Sequence, residues 1–325
     1  MRKILVLLVL IGIVLVLMTP VSEKQTPIEN QKQTVSTVPT VTTKREPGEV
    51  SKAIFVPDWN LSEESILHNG YDRWIYFGGK EKLSLFVNSL QDKNLWMTIK
   101  VDTIEELEDV NLQDYDLAKI SGIVLDLEIN GIATEKFKNQ INKGVEKVYT
   151  NAKANSLQIA LAVYGDLFYR KRPYDLETLN SFSDEVMVMA YDFHKSYGEP
   201  GENYPYEDFK KMVDEYSKVV PAEKLTIVFG MYGYDWTLKD GKPLKPAQSL
   251  SLYQIKSRFL KKICLEDNCE VKINENTKEK NVSYMGEDGY EHVVYFEDEE
   301  SVDMKTEYLK QKGIESTAFW AWGNF

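Results

Sequence analysis

The chain has 325 residues, with 51 acidic against 39 basic side chains and a formal charge of −12. That balance lacks the basic footprint of a nucleic-acid-binding surface and disfavours electrostatic adhesion to anionic membranes. A neutral ligand such as an uncharged sugar meets no such objection, and 6 Trp and 19 Tyr supply flat faces for it as well as for a core.

Met1 to Lys3 carry two positive charges, and residues 4–18 are apolar apart from Gly12. Residues 1–18 read as a secretory signal or a short membrane anchor. The run is shorter than the roughly 17 to 25 residues of a spanning helix. No small-x-small cleavage site follows, so an uncleaved anchor stays open. Residues 19–50 are rich in Thr, Pro and Gln, show no apolar periodicity, and read as a flexible linker. The expected location is extracellular, secreted or tethered to the outer face of the membrane. The folded domain is expected over 51–325.

From residue 51, short apolar runs alternate with amphipathic stretches. Strands are predicted at 52–57, 73–78, 95–100, 121–128, 158–164, 185–191, 225–232 and 316–322, and helices at 80–92, 134–154, 206–219 and 299–312. Nearly continuous apolar strands separated by helices predict a parallel sheet. Eight such units over about 250 residues predict an α/β fold of the (β/α)8 TIM-barrel type. The alternative, an open doubly wound sheet, is weakened by the lack of a glycine-rich phosphate fingerprint after the first strand. The seventh connection, 237–298, is far longer than a βα loop needs. It is read as a small insertion between strand 7 and strand 8, with a helix over 250–263 and hairpin-like segments at 269–274, 281–285 and 290–296. The only cysteines, Cys264 and Cys269, are too few for a structural zinc site. In an exported chain they read as a local disulfide, two free thiols being the alternative. His68, His194 and His292 form no metal-ligand cluster, so neither a metal nor a cofactor is expected.

Strand four organises the chain. Side chains alternate along a strand, so Ile123, Leu125 and Leu127 point one way and Val124, Asp126 and Glu128 the other. Two acids in an apolar run are costly unless the strand end opens into a polar site. An edge strand with a solvated acid pair is the plainer alternative. In a barrel the active site lies at the C-terminal strand ends. Those ends are Asp126 and Glu128, Tyr164, Met189-Ala190-Tyr191-Asp192, Tyr232-Gly233-Tyr234-Asp235-Trp236, and Trp320 to Trp322. Acids, phenols and indoles on one rim suit a carbohydrate cleft. Trp236 and Trp322 read as packing.

Over residues 51–325 the chain resembles the family-18 glycoside hydrolases. The family's Asp-x-x-Asp-x-Asp-x-Glu on strand four corresponds to Ser121-Gly-Ile-Val124-Leu-Asp126-Leu-Glu128. Its Met-x-Tyr-Asp corresponds to Met189-Ala-Tyr191-Asp192, and its strand-eight Trp to Trp320. Tyr232-Gly-Tyr234-Asp-Trp236 and Tyr295-Phe-Glu-Asp-Glu-Glu-Ser resemble the branch acting on spore cortex and bacterial cell wall. The resemblance implies a chitinase-like hydrolase of β-1,4-linked N-acetylglucosamine polymers, chitin-type chains or peptidoglycan glycan, working as a monomer. It implies Glu128 as general acid, the substrate's acetamido oxygen as nucleophile, and Asp126 as partner of the acetamido N–H. It further implies that Tyr191 orients the acetamido group, that Asp192 bonds the sugar or tunes Glu128, and that Trp320 floors the subsite. Met189, Tyr164, Tyr232 and Tyr234 are the further substrate-binding positions. Ser121 and Val124 depart from the family acids. The alternative function is a catalytically weak or inactive sugar-binding protein on the same barrel.

Overall fold

The structure, a computed structural model, describes residues 50–62, 70–90, 93–260 and 269–325. The apolar run and linker of residues 1–49, His68 and Cys264 lie outside the described residues. The elements run β1 (Ser51–Pro57), β2 (Arg73–Phe77), α1 (Leu83–Ser89), β3 (Leu95–Val101), α2 (Ile104–Asp109), β4 (Gly122–Leu127) and α3 (Glu135–Ala154). They continue with β5 (Gln158–Tyr164), α4 (Leu176–Ser181), β6 (Glu185–Ala190), α5 (Tyr206–Tyr216), β7 (Leu225–Gly230), β8 (Tyr232–Lys239), β9 (Lys242–Pro243) and β10 (Gln248–Ser251). The last are α6 (Leu252–Ile255), β11 (Glu270–Ile273), β12 (Lys280–Met285), β13 (Glu291–Phe296), α7 (Glu299–Gln311) and β14 (Ser316–Trp320).

Eight parallel strands close a barrel in the order β1-β14-β7-β6-β5-β4-β3-β2. The expected (β/α)8 fold is what the chain forms. Both strand faces are buried, which is why these strands read as unbroken apolar runs. Outward residues such as Ile123, Leu125, Leu127, Val186 and Ile227 pack against the helices. Inward residues, among them Phe55, Ile75, Trp96, Val124, Ala160, Met187, Val228 and Ala318, fill the barrel. Its N-terminal end is plugged by Arg73, the first residue of β2. The Arg73 guanidinium donates to both Glu185 oxygens, at 2.5 and 2.6 Å, and lies 4.5 Å from the Trp96 ring centre.

Helix ends follow local chemistry. Thr134 caps α3 by accepting from Phe137 N, and the helix buries Ile141, Val145, Val148 and Ala152 on one face. The helices α2 and α4 escape prediction because six residues are too few to display a 3.6-residue period. The predicted helix at 80–92 starts with a 3-10 turn and becomes α-helical only over Leu83–Ser89.

The insertion begins earlier than the expected residue 237. Strand seven ends at Gly230, not 232, and Tyr232 already belongs to an antiparallel sheet ordered β10-β8-β13-β12-β11, with β9 pairing β8. Apolar and aromatic residues continue across Met231, so the sequence pattern conceals the point where the chain leaves the barrel. Pairing reveals it: Tyr234 faces Ser249 on β10 and Tyr295 on β13, with no barrel strand beside it. The hairpin segments expected at 269–274, 281–285 and 290–296 are β11, β12 and β13. The helix expected at 250–263 starts only at Leu252, after β10, under a capping box between Ser251 and Gln254. It widens to a π-type turn over Lys256–Leu260.

Candidate active site

Gly122, Val124 and Asp126 share the inner face of β4. At Gly122 a Cβ would stand 2.6 Å from the Trp96 ring, so only glycine leaves room for that indole in the barrel. Val124 is fully buried in the inner cluster. Asp126 follows it toward the mouth, 6 % exposed, and its Oδ1 has no hydrogen-bond partner among the described residues. Burial, and then the neighbouring Glu128, push the Asp126 carboxyl up to about 8, while Lys100 opposes them. On β3, Thr98 pairs in register with Val124 and Lys100 with Asp126. The Thr98 hydroxyl is also buried without a partner among the described residues.

Glu128 stands just past β4, its backbone N donating to Val101 O at 3.0 Å. Its carboxylate is half-buried, 3.8 Å from Lys100 Nζ. Lys100 in turn donates to both oxygens of Asp102, at 2.7 and 2.9 Å. Tyr164 does not line the cavity. Its hydroxyl donates to the Glu128 backbone oxygen at 3.2 Å, and the Arg172 guanidinium lies 3.7 Å from its ring centre. Tyr164 therefore braces the segment that carries Glu128.

From the end of β6, Met189, Tyr191 and Asp192 face the cavity. Burial and the surrounding carboxylates Asp126, Asp192 and Glu128 hold the Tyr191 phenol protonated, and so a donor. Asp192 has φ of 57°, a left-handed conformation uncommon outside glycine. Its backbone N donates to Asn203 Oδ1 at 2.8 Å. Its Oδ1 accepts from the Tyr234 hydroxyl at 2.8 Å and from the Tyr232 hydroxyl. The inserted sheet thus reaches into the barrel mouth through β8, and its two tyrosines fix an acid rather than stand free.

Trp320 walls the opposite side, edge-on to Phe77 at 4.7 Å between ring centres and near Phe55. Trp59, 62 % exposed, extends this wall outward at 6.2 Å from Trp320. The cavity so enclosed is about 400 Å³, and Ser249 and Asn324 complete its rim. Among the described residues three carboxylates line it (Asp126, Glu128 and Asp192), and no basic side chain does. Trp59, Asn203 and Lys100 are site residues that pattern reading missed. Trp59 had a signal, an aromatic directly after a strand end. Asn203 had none, because its partners come from β7, β8 and the β6 loop. Trp236 is buried, and its indole N–H donates to Gly198 O at 3.1 Å. His194 meets the Glu202 backbone oxygen at 2.9 Å. Cys269 packs against the main core. Among the described residues no group of three or more His, Cys, Asp or Glu is arranged to hold a metal ion.

The sequence model for glycosyl hydrolases family 18 matches residues 55–324. The uncharacterized glycosylase YvbX of Bacillus subtilis is 30% identical over 153 residues, 47% of this chain and 42% of that protein. The cortical fragment-lytic enzyme of Bacillus anthracis is 27% identical over 152 residues, 46% of this chain and 34% of the relative. Each match spans less than half of the relative's length. Among solved structures, the spore cortex-lytic enzyme SleL of Bacillus cereus aligns with a TM-score of 0.67 at 16% identity, covering 85% of this chain and 72% of that one. The chitinase of Chromobacterium violaceum aligns with a TM-score of 0.64 at 15% identity, covering 85% and 95%. At such identity these structures speak for the fold.

Proposed function

The chain belongs to glycosyl hydrolases family 18, and from that premise we propose that it is a retaining glycoside hydrolase that cuts β-1,4-linked N-acetylglucosamine polymers with help from the substrate's own acetamido group. The observation that carries this reading is the pair on β4. Glu128 stands at the rim with Asp126 buried behind it, both facing a cavity walled by Trp320. The names of its relatives, cortical fragment-lytic enzymes and chitinases, support an acetamido-glycan as substrate.

In the first step the acetamido oxygen attacks the anomeric carbon. The glycosidic C–O bond breaks, and the departing oxygen takes the proton from Glu128. The other carboxyls are poor nucleophiles here. Asp126 is held largely protonated at neutral pH by burial, and Asp192 has one oxygen engaged by two phenols. The cyclic intermediate carries positive charge next to its N–H. The Asp126 oxygen that lacks a partner among the described residues accepts from that N–H, and the bond strengthens as the charge develops, so the acid stabilises the intermediate more than the resting sugar. Tyr191 donates to the acetamido oxygen and orients it. Water then adds to the anomeric carbon, Glu128 takes its proton, and the anomeric configuration is retained.

Glu128→Gln removes the proton donor and keeps the shape. Turnover of a soluble N-acetylglucosamine oligomer should fall by about a hundredfold or more, with folding and oligomer binding preserved. Unchanged turnover would sink the assignment. A wild type that binds oligomers and never cuts them would favour the sugar-binding alternative, to which the loss of the family acid at Val124 lends some support. Residues 1–18 and the linker at 19–50 support placing the barrel outside the cell, secreted or tethered. Cys264 and Cys269 are proposed to pair there, and thiol counting on denatured exported protein should find no free thiol.

A further inference from the structure

The backbone and the carboxylate of Glu128 are held very differently. Its N donates to Val101 O at 3.0 Å, and its O accepts from the Tyr164 hydroxyl at 3.2 Å and from Asn130 Nδ2 at 3.0 Å. Among the described residues no hydrogen bond reaches the carboxylate, and its one ion pair is with Lys100, whose Nζ stands 3.8 Å from Oε1. That separation exceeds the roughly 2.7 to 3.2 Å of an N–H···O bond, so the ammonium attracts the carboxylate without gripping it.

Lys100 is kept at that distance by the segment that follows it. Trp96, Thr98 and Lys100 alternate onto one face of β3, in register with Gly122, Val124 and Asp126. Lys100 thus stands level with Asp126, yet it does not line the cavity. Its Nζ donates to both Asp102 oxygens, at 2.7 and 2.9 Å. Asp102 is placed in turn by the start of α2, where its backbone N donates to Glu106 Oε2 at 2.7 Å and Glu106 N donates to Thr103 Oγ1 at 3.1 Å. Burial works against the Lys100 charge. The bonds to Asp102, with Glu128 and Asp126 nearby, more than offset it, so the side chain stays an ammonium. Asp102 and Glu128 compete for one cation, and Asp102 holds it.

We infer that Lys100, held by Asp102, is a positioning residue for proton delivery by Glu128, near enough to stabilise the carboxylate left behind and too far to lock it away from the sugar. The inference rests on the proposed hydrolase reading. In the first step the Glu128 O–H bond breaks, the proton passes to the departing oxygen, and the electron pair remains on Glu128. A fixed cation nearby favours that carboxylate over the neutral acid, and so eases proton loss. A direct bond from Lys100 would favour the ionised form before any sugar arrived and leave no proton to give. Asp102 prevents that bond. In the second step Glu128 takes the proton of water, and its oxygens are free to do so.

The charged and titratable groups facing the Asp126–Glu128 pair are Lys100 from β3, Asp102 from the loop after it, Tyr164 from β5, Tyr174 from the loop after β5, and Tyr191 from the end of β6 with Asp192 beyond it. Lys100 opposes the upward push on the Asp126 carboxyl, and Asp102 adds to it. Removing the two residues should therefore move the pair in opposite senses.

The test is the pH dependence of kcat and KM on a soluble N-acetylglucosamine oligomer, with the Asp126 carboxyl followed by carboxyl-carbon NMR in the same full chains. Lys100→Met should lower kcat roughly three- to tenfold and leave KM nearly unchanged, because the side chain does not wall the cavity. Its alkaline limb should move up by about half to one pH unit, the effect of one charge about 4 Å away near the surface. Asp102→Asn should also lower kcat, and should move the limb down, because Lys100 then closes on Glu128. Lys100→Arg should return the limb to its wild-type position. A limb that stays put in both variants or moves the same way in both would overturn the proposal, as would a KM that rises as steeply as kcat falls. If the wild type never cuts the oligomer while the Asp126 titration moves up in Lys100→Met and down in Asp102→Asn, the hydrolase reading fails and the hold of Lys100 on the pair stands. Turnover with neither the limb nor the Asp126 titration moved defeats the Lys100 role and leaves the hydrolase reading intact.

Discussion

The barrel mouth and the base of the inserted sheet both bury ionisable groups, and they treat them in opposite ways. At the barrel mouth Asp126 is 6 % exposed, with one oxygen unpartnered among the described residues and its carboxyl driven up by burial. At the junction where the inserted sheet returns to the barrel, Lys305 of α7 is 1 % exposed and fully engaged. Its ammonium donates to Glu297 at 2.5 Å and to Tyr204 O at 2.6 Å, with Glu279 at 4.0 Å. Glu297 also accepts from Ser301, and Glu279 accepts from Tyr206 N. The junction is saturated because nothing else will ever solvate it. The mouth is left short by one partner because a ligand N–H can supply it. An unsatisfied buried group is tolerated where binding or chemistry repays the cost.

The largest expected effect is at the junction. Lys305→Met leaves Glu297 buried and unpaired, and should cost about 3 to 5 kcal/mol in a denaturant titration. The double variant with Glu297→Gln should lose less than the sum of the singles. Simple addition would mean that the two charges do not interact.

The mouth should behave in the opposite sense. Asp126 has a native pKa raised to about 8 against an unfolded value near the usual carboxylate range, so between them the folded state binds the extra proton. Wild-type stability should therefore fall as pH rises from about 4 through about 8, since deprotonation is easier in the unfolded chain. Asp126→Asn should abolish that fall and become the more stable protein at the alkaline end, while losing activity. Parallel stability curves for the two proteins would show that Asp126 is not desolvated.

Val124→Asp tests the layer below. The new acid would face the unpartnered Thr98 hydroxyl and sit directly beneath Asp126, costing about 1 to 3 kcal/mol for the buried polar group. It would couple to Asp126 and reshape the acid limb of the pH–rate profile. An unchanged profile in a folded variant would mean that position 124 does not touch Asp126.

The smallest effect links the two regions. Tyr234→Phe removes one of two phenols on Asp192 and leaves Tyr232 in place. Turnover should drop several-fold, the equivalent of about 1 kcal/mol for one hydrogen bond, with the fold intact. A variant as active as wild type would make the sheet's reach into the mouth incidental.

Much of this was legible in one dimension, for a local reason. Side-chain alternation is a property of the strand itself, so Val124, Asp126 and Glu128 could be assigned to one face without knowing any neighbour, and the inner cluster and cavity contain them as expected. Repeated strand and helix patterns likewise specified a barrel, because each unit signals itself. Partnership is not local. Tyr232 and Tyr234 look like the end of strand seven, and only pairing with β10 and β13 shows that they belong to the insertion and grip Asp192. Glu297-Asp298-Glu299-Glu300-Ser301 reads as an acidic run. Closure of the chain turns it into an α7 cap at Asp298 and a counter-charge for Lys305. Lys100 is one lysine among many until β3 sets it beside Glu128. By itself the sequence determined which way each strand residue points and which acids stand at the mouth. Tertiary structure alone decided which charges are matched, because a counter-charge is contributed by whichever distant segment the closed barrel brings alongside.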